Sequence, residues 1–297
     1  MKKAITEYPK VSIGVCVRNC EKTISQTIES IIAQDFPHEL IEIIIVDDGS
    51  TDGTLSIINS YIPKINMEVK VFHHKWRGLG PSRNLVMKEC EGKYIIWVDG
   101  DMILTKDFVR KQVEFMEQHP KAGIGKGRYG ILLREKLVSD LENMEFVTAT
   151  YKKEHALNAP GTGGAIYRVD ALKEVGGFDE EITGAGEDTD VEYRIRKAGW
   201  SILVTPAIFY ERHRETWREL WNQYVWRGSG AFHLFKKKAM VAREILWFPM
   251  TVLTEIKRAI TAYKITYRKV AFLLPVHYFF KRTAWVFGFL KEYCKNK

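Results

Sequence analysis

The sequence is short of several things that would place a protein quickly. Four cysteines in 297 residues, Cys16, Cys20, Cys90 and Cys294, form no Cys-x-x-Cys pair, so they build neither a disulfide scaffold nor a thiolate zinc site. No histidine stands at zinc spacing from Cys16 and Cys20, which leaves reduced, structural thiols. Internal repeats and low-complexity tracts are absent, and with 45% hydrophobic residues nothing points to disorder. The opening MKKAITEYPK lacks the apolar core of a secretory leader, so this end is expected in the cytosol. No uninterrupted apolar stretch reaches the ~20 residues that a membrane-spanning helix needs.

A charge excess is also missing from most of the chain. The total of 45 Lys and Arg against 37 Asp and Glu is +8. Residues 236–297 hold 14 of the cations and three acids, Glu244, Glu255 and Glu292, which leaves residues 1–235 with 31 cations against 34 acids. A nucleic-acid-binding body would be basic, with aromatics interleaved along a groove. This body is slightly acidic, so nucleic acid is not an expected partner.

What is present is an alternation of short apolar runs and helical periods. VSIGVCVRN (11–19), IEIIIVDD (41–48), EVKVFHH (68–74) and YIIWVDGD (94–101) read as strands. Between them, EKTISQTIESIIAQ reads as an amphipathic helix with Ile24, Ile28, Ile31 and Ile32 inward, followed by helices over GSTDGTLSIINSYI and, opened by Pro81, GPSRNLVMKECEG. Strand–helix alternation in short units predicts an α/β fold, a mostly parallel sheet with helices on both faces. In such sheets ligands gather at the carboxyl ends of the strands. Arg18-Asn19, Asp47-Asp48 and Asp99-Asp101 all fall there, so three polar tips are expected to share one site.

Asp99 and Asp101 flank Gly100, whose freedom lets both carboxylates face one point. Two hard oxygen donors suit Mg²⁺ or Mn²⁺, and the plain alternative is a capped turn. In VDDGSTDGT (46–54) one strand-end acid can accept from a base or a ribose, or the run can be only a turn. In NAPGTGGAIYR (158–168), Gly161, Gly163 and Gly164 leave backbone bare beside a strand. GAGEDTDVEYRIRKAG starts a helix, where acids are also plain caps. His73 and His74 close the third strand without a metal role.

Taken together, VSIGVCVRN, VDDGSTDGT, RGLGPSRN, YIIWVDGDM, GTGGAIYRVDALKEVGGFDE, GEDTDVEYRIRKAGW and HRETWRELWNQYVWRGSG resemble the family 2 glycosyltransferases, an inverting class with the GT-A fold. Their order and spacing carry the resemblance, from Val11 to about Gly230. It implies that Asp48, with Asp47 beside it, accepts from the base of a nucleoside-diphosphate sugar. It implies further that Arg18, Arg83 and Asn84 stand near the nucleoside and that Gly163 and Gly164 leave room for donor sugar and acceptor. Asp99 and Asp101 match the metal-binding pair, and His213 matches a histidine that touches metal or diphosphate. Asp188, with Glu187 beside it, matches the base that takes a proton from the acceptor hydroxyl. Arg227 would pair with the diphosphate. Processive members carry Gln-x-x-Arg-Trp, whereas here Gln223 is followed by Tyr-Val-Trp226-Arg227, which puts polymer synthesis in doubt.

The expected organisation is a catalytic domain over 1–235, nucleotide-binding to about 101 and acceptor-binding beyond, and a basic, aromatic, helical tail over 236–297. In the tail, Val252, Ile256, Ile260, Tyr263 and Tyr267 share one helical sector opposite Lys257, Arg258, Lys264, Arg268 and Lys269, the composition of a helix lying on anionic lipid. VAFLLPVHYFF and TAWVFGFL are split by Lys281-Arg282, a charged pair that is expensive at mid-membrane. In-plane association is therefore expected over spanning, with a lipid-linked or membrane glycan as acceptor at the cytosolic face. A sugar-nucleotide nucleotidyltransferase would need a Gly-rich basic loop after its first strand, where VCVRNCEKTI stands. A non-enzymatic membrane adaptor would leave the acidic strand tips unexplained.

Overall fold

A computed structural model describes residues 8–150, 161–182, 185–237 and 251–296. The basic-tail residues Lys238 and Arg243 and the start of NAPGTGG lie outside the described residues, and Val252 is described in its backbone only.

Eight strands form one sheet in the order β3-β2-β1-β4-β7-β6-β8-β5. They are β1 Val11–Val17, β2 Ile41–Asp48, β3 Glu68–His74, β4 Tyr94–Trp97, β5 Met102–Leu104, β6 Ala122–Tyr129, β7 Ala165–Arg168 and β8 Ser201–Glu211. The first four are parallel neighbours, as the strand–helix alternation predicts. Beyond β4 the sheet is mixed: β7 runs antiparallel to β4 and β6, β6 is parallel to β8, and β5 is antiparallel to β8. The reversal matters for the site. An antiparallel β7 enters the sheet at the edge where β4 leaves it, with Ile166 opposite Ile96, so the glycine run before β7 joins the polar tips. The same geometry brings the ends of β6 and β8, and the start of β5, to that edge.

Every residue of β1, β2 and β4 is buried, because helices cover both faces. On one face, Ile13, Val15, Ile43 and Ile45 pack with Ile24, Ile28 and Ile31 of α1 (Ile24–Ile32) and with α4 (Phe108–Gln118). On the other, Ile44, Val46, Ile95 and Trp97 pack with Val86 of α3 (Leu79–Glu89) and with Val191 and Ile195 of α7 (Glu187–Lys197). Ile32 is only half-buried, at the end of its helix. The remaining body helices are α2 (Thr54–Tyr61), α5 (Leu137–Thr150) and α6 (Val169–Glu174).

The C-terminal part consists of α8 (Trp217–Lys237), α9 (Thr251–Thr266) and α10 (Leu274–Lys295). Of the two apolar stretches read as separate in the sequence, residues 274–280 and all of the second lie in one helix, α10. Pro275 stands in its first turn, where proline fits, while residues 270–273 belong to a 3-10 helix just before it. Helices α8 and α10 touch backbone to backbone. A methyl group on Gly228 would strike the Trp285 carbonyl, and one on Gly288 would strike that of Val225. Helix α9 packs Ala259 and Ala262 against Leu141 and Met144 of α5 and Leu274 of α10. Lys281 is 3% exposed and donates to Glu142 and Glu145, 2.6 Å from each. This cation therefore belongs to the interior of the molecule. Among the described residues, no helix is long and apolar enough to cross a membrane.

Candidate active site

At the carboxyl edge of the sheet lies a cavity of about 670 Å³, within the range of small-molecule sites. One end is built from the tips of β1–β3. Asp48, the last residue of β2, accepts the backbone N–H groups of Arg77 (2.7 Å) and Gly78 (2.9 Å), with His74 Nδ1 3.3 Å away. It thereby fixes the loop whose Trp76 indole, 55% exposed, lines the cavity. The Arg18 guanidinium lies 5.4 Å from the centre of that ring and also lines the cavity. Its neighbour Asp47 points the other way, as consecutive strand residues must. Asp47 is fully buried, accepts from the Ser50 hydroxyl and from His73 Nδ1 (2.8 Å), and does not line the cavity. It holds the turn after β2, and of the two aspartates expected at the nucleotide it is Asp48 that lines the cavity.

Arg83 and Asn84 part in the same way on α3. Arg83 lines the cavity, ion-paired with Glu187 and packed over Trp97 and Phe178. Asn84 faces the opposite loop, donating to the Phe178 carbonyl (2.8 Å) and accepting from its N–H (2.8 Å). It clamps residues 178–180 and has no place on the cavity wall.

The centre of the cavity is acidic. Asp99 and Asp101 follow β4, and neither side chain accepts a hydrogen bond from another residue's side chain or backbone among the described residues. Gly163 stands against Asp99, where a methyl group would come within 2.6 Å of Oδ2. The bare backbone lets Met102 Cε and the Asp99 carboxylate pack against it. Gly164 does something else: a methyl group there would strike the Phe209 ring, and its carbonyl accepts from Gln112 (2.8 Å). Its bareness serves strand packing, and unlike Gly163 it does not line the cavity where it was expected beside the donor sugar. Burial, with Asp188 facing it, raises the Asp99 carboxyl above the usual range, and burial next to Asp99 pushes Asp101 up to about 6.

A third carboxylate, Glu211, lines the same region, and no sequence motif pointed to it. It ends β8, opposite Met102 in the β5–β8 pairing, and the next backbone N–H, Arg212, donates to the Asp101 carbonyl (2.9 Å). Burial, then Asp101 and Asp99, hold its carboxyl well above the usual range. His213, by contrast, does not line the cavity. Its ring lies flat on Phe146 (5.1 Å, 7°), the side chain is 3% exposed, and burial lowers its pKa to about 4. The structure places His213, expected to touch metal or diphosphate, in a buried position behind Glu211, with Nδ1 3.6 Å from Glu211 Oε1 and Nε2 without a hydrogen-bond partner.

The far wall comes from α7 and α8. Glu187 is buried and held by Arg83. Burial and the adjacent Asp188 outweigh that partner and push its carboxyl up to about 7. Asp188 lines the cavity and accepts the Thr189 N–H (2.7 Å) through Oδ1, with Oδ2 turned toward Gly161. Asp190 is ion-paired with Arg194 at 2.6 Å. Arg227 stacks on Tyr224 (4.8 Å) and lines the cavity beside Gln223 and Trp226, the last 44% exposed. Trp285 of α10 also reaches the wall.

An all-oxygen donor set of crowded carboxylates fits a hard divalent cation. Among the described residues, the groups whose three candidate ligand atoms lie within 4.8 Å of one another are elsewhere, Glu142–Glu145–His277 and Glu42–Glu68–Glu91. Both already hold lysines as ion-pair partners, the first Lys281 and the second Lys70 and Lys10.

The family described as Glycosyl transferase family 2 matches residues 12–176. Among curated proteins, the chain is 36% identical over 110 residues to a poly(ribitol-phosphate) beta-N-acetylglucosaminyltransferase, TarS, of Staphylococcus aureus, covering 37% of this chain and 19% of that protein. It is 29% identical over 234 residues to the probable glycosyltransferase YdaM of Bacillus subtilis, covering 75% of this chain and 55% of YdaM. The chain thus spans about half or less of the length of these relatives. Among solved structures, a mannosyltransferase of Pyrobaculum calidifontis in complex with GDP-Man and Mn²⁺ superposes with a TM-score of 0.67 at 17% identity, covering 98% of this chain and 89% of that one. Residues 1–349 of TarS in complex with UDP superpose with a TM-score of 0.53 at 19% identity, covering 97% and 92%. At these identities the likeness concerns the fold.

Proposed function

Because the chain belongs to glycosyl transferase family 2, we propose that it moves a sugar from a nucleoside-diphosphate sugar to an acceptor hydroxyl, with inversion at the anomeric carbon. The observation that carries this reading is one cavity with Asp99 and Asp101 at its centre, Asp48 and Arg18 at one end and Asp188 on the far wall. Trp76 and Arg18 offer flat surfaces for a base, and Arg83 and Arg227 bring positive charge to a diphosphate. A divalent ion, Mn²⁺ or Mg²⁺, held by Asp99 and Asp101 would neutralise charge growing on the departing diphosphate. Asp188 takes the proton of the attacking hydroxyl, and a single carboxylate suffices when attack comes from the face opposite the leaving group. Glu187, beside it on α7, is held by Arg83. A lipid phosphate, already ionised, would need no such base, so Asp188 favours a hydroxyl acceptor. The mannosyltransferase with GDP-Man and Mn²⁺ and the TarS structure with UDP support a nucleotide donor.

The acceptor is read as a lipid-linked or membrane glycan, met at the cytosolic face. Of the eighteen large exposed apolar side chains among the described residues, eleven lie in 251–296. On α10, Val276 (64% exposed), Phe279 (71%), Phe287 and Leu290 form an outer stripe, with His277, Lys281, Ala284 and Gly288 inside. Ile256 and Ile260 of α9 are exposed as well, and Lys257, Lys264, Lys269, Lys291 and Lys295 are exposed around them. An apolar stripe rimmed by lysines matches an anionic bilayer surface.

The test is a donor-hydrolysis screen over uridine and guanosine diphosphate sugars, with Mn²⁺, with Mg²⁺ and with chelator, plus sedimentation with phosphatidylglycerol vesicles. One nucleotide class should be hydrolysed only with metal, and the protein should sediment with anionic but not neutral vesicles. Hydrolysis of no donor under any condition refutes the reaction. Failure to sediment refutes the membrane part.

A further inference from the structure

Arg83 and Arg227 both bring positive charge into the cavity, and they are held in opposite ways. Arg83 is ion-paired with Glu187. Arg227 has neither a hydrogen bond nor an ion pair among the described residues. Its guanidinium lies instead over the Tyr224 ring, 4.8 Å from the centre. We propose that Tyr224 is a positioning residue for Arg227, a shelf that aims the cation at the diphosphate without neutralising it. The inference rests on the glycosyltransferase reading, in which Arg227 meets the diphosphate, and adds to it what holds the arginine there.

Helix geometry builds the shelf. Tyr224 and Arg227 are three residues apart on α8, so their side chains are neighbours on one face. The ring is held in turn from α10, where Lys281 Nζ lies 4.7 Å from its centre. That ammonium is itself fixed, because it donates to Glu142 and Glu145 at 2.6 Å each. The backbones are fixed as well. A methyl group on Gly228, next to Arg227, would strike the Trp285 carbonyl, and one on Gly288 would strike that of Val225, next to Tyr224. Glu142, whose charge acts on both Lys281 and Arg227, offsets the repulsion between two cations on one ring.

The chemistry suits an anion site. A guanidinium is a planar fork that stacks on an aromatic face and pairs bidentately with phosphate oxygens. A carboxylate partner would also hold the fork, but an incoming diphosphate would have to displace it. A ring fixes the plane and leaves the N–H donors to the ligand. The two carboxylates whose charge reaches Arg227 are engaged elsewhere, Glu142 by Lys281 and Glu211 by Tyr129. An unsupported arginine loses rotamer freedom when it grips a ligand, and a shelf present beforehand lowers that cost.

The experiment titrates the full chain by calorimetry, with Mn²⁺ present, using UDP, GDP and the parent nucleosides uridine and guanosine. If the wild type binds neither diphosphate, the transferase reading falls and this inference with it. Otherwise Arg227→Gln should weaken the preferred diphosphate about tenfold or more and leave its nucleoside within about twofold. Tyr224→Leu should weaken the diphosphate about fivefold or more, again sparing the nucleoside, and Tyr224→Phe, which keeps the ring, should stay within about twofold of wild type. The double variant Tyr224→Leu/Arg227→Gln separates positioning from packing. It should bind the diphosphate no more weakly than Arg227→Gln alone, because Tyr224 acts through the arginine. Should Tyr224→Leu fail to fold in thermal melts, Tyr224→Met fills the space without a ring and should show the same loss. Wild-type diphosphate affinity in a folded Tyr224→Leu or Tyr224→Met, equal losses for diphosphate and nucleoside, or additive losses in the double variant would each overturn the proposal and leave the transferase reading intact.

Discussion

At the carboxyl edge of β1–β4, apolar side chains fill the interior and carboxylates stand at the rim; on α10 the order is reversed. There Lys281 and His277 are interior, against Glu142 and Glu145 of α5, and Val276, Phe279, Phe287 and Leu290 face outward. The first arrangement is that of a globular core with its ligand site in water. The second is inside-out, and an inside-out helix is stable only if the buried charges are paired and the outer stripe has something apolar to meet. The first condition is met, since Lys281 has two carboxylates at 2.6 Å; the second is what the vesicle experiments test. The two regions also touch, since α8 carries Arg227 and Trp226 into the cavity and is pinned to α10 at Gly228 and Gly288.

The comparison can be broken most forcefully at the rim. Asp188→Asn keeps the shape and the Thr189 contact but removes the base, and transfer should fall by ~10²–10⁴-fold with little change in Tm. Unimpaired transfer would mean that the rim carboxylate only caps α7. The next largest effect belongs to the inverted region. Lys281→Met leaves Glu142 and Glu145 buried without their main partner, although Arg258 remains 3.4 Å from Glu145. Breaking a buried pair in this way costs about 3–5 kcal/mol, to be read from urea unfolding. A loss under ~1 kcal/mol would mean that the interior of the helix pair is wet, and the contrast between the regions would vanish.

The strands and helices up to Trp97 were legible because apolar runs and 3.6-residue periods are local, and Asp99–Asp101 because spacing alone puts them on one turn. Which of two adjacent polar residues faces the cavity was not legible. Asp47 and Asp48, or Arg83 and Asn84, differ only by which side of the element each leaves, and that depends on where the neighbouring elements lie. Glu211 was missed because its signal is a cross-strand register with Met102, which no pattern in YERHRE announces. Lys281 was counted with the tail cations because its partner Glu142 is 139 positions away. The mixed half of the sheet went unread for a similar reason: β7 and β5 are four and three residues long, too short to show a period.

His213 offers a pH test of the boundary between rim and interior. Burial lowers its pKa to about 4 from an ordinary 6.5, so the unfolded chain binds the extra proton first. Stability from this residue is complete above about pH 6.5 and is lost as pH falls toward 4. The shift corresponds to at most about 3 kcal/mol. His213→Phe, which can keep the stack on Phe146, should make the acid side of the stability profile shallower, as measured by urea midpoints from pH 7 to pH 4. An unchanged profile would place the imidazole in solvent, at the rim.

The smallest expected effect is the most telling about the outer stripe. In a core, a phenylalanine truncation costs about 3–5 kcal/mol. Phe279 is 71% exposed, so Phe279→Ser in the absence of lipid should change unfolding free energy by no more than ~0.5 kcal/mol. The same variant should sediment less with phosphatidylglycerol vesicles, because the side chain's transfer into lipid is lost. The two measurements separate the possible coverings of α10. If Phe279→Ser is strongly destabilising, the stripe is covered by the chain itself. If stability and vesicle binding are both untouched, the outward apolar face has no part in holding the protein to a bilayer, and the contrast with the rim is one of packing alone.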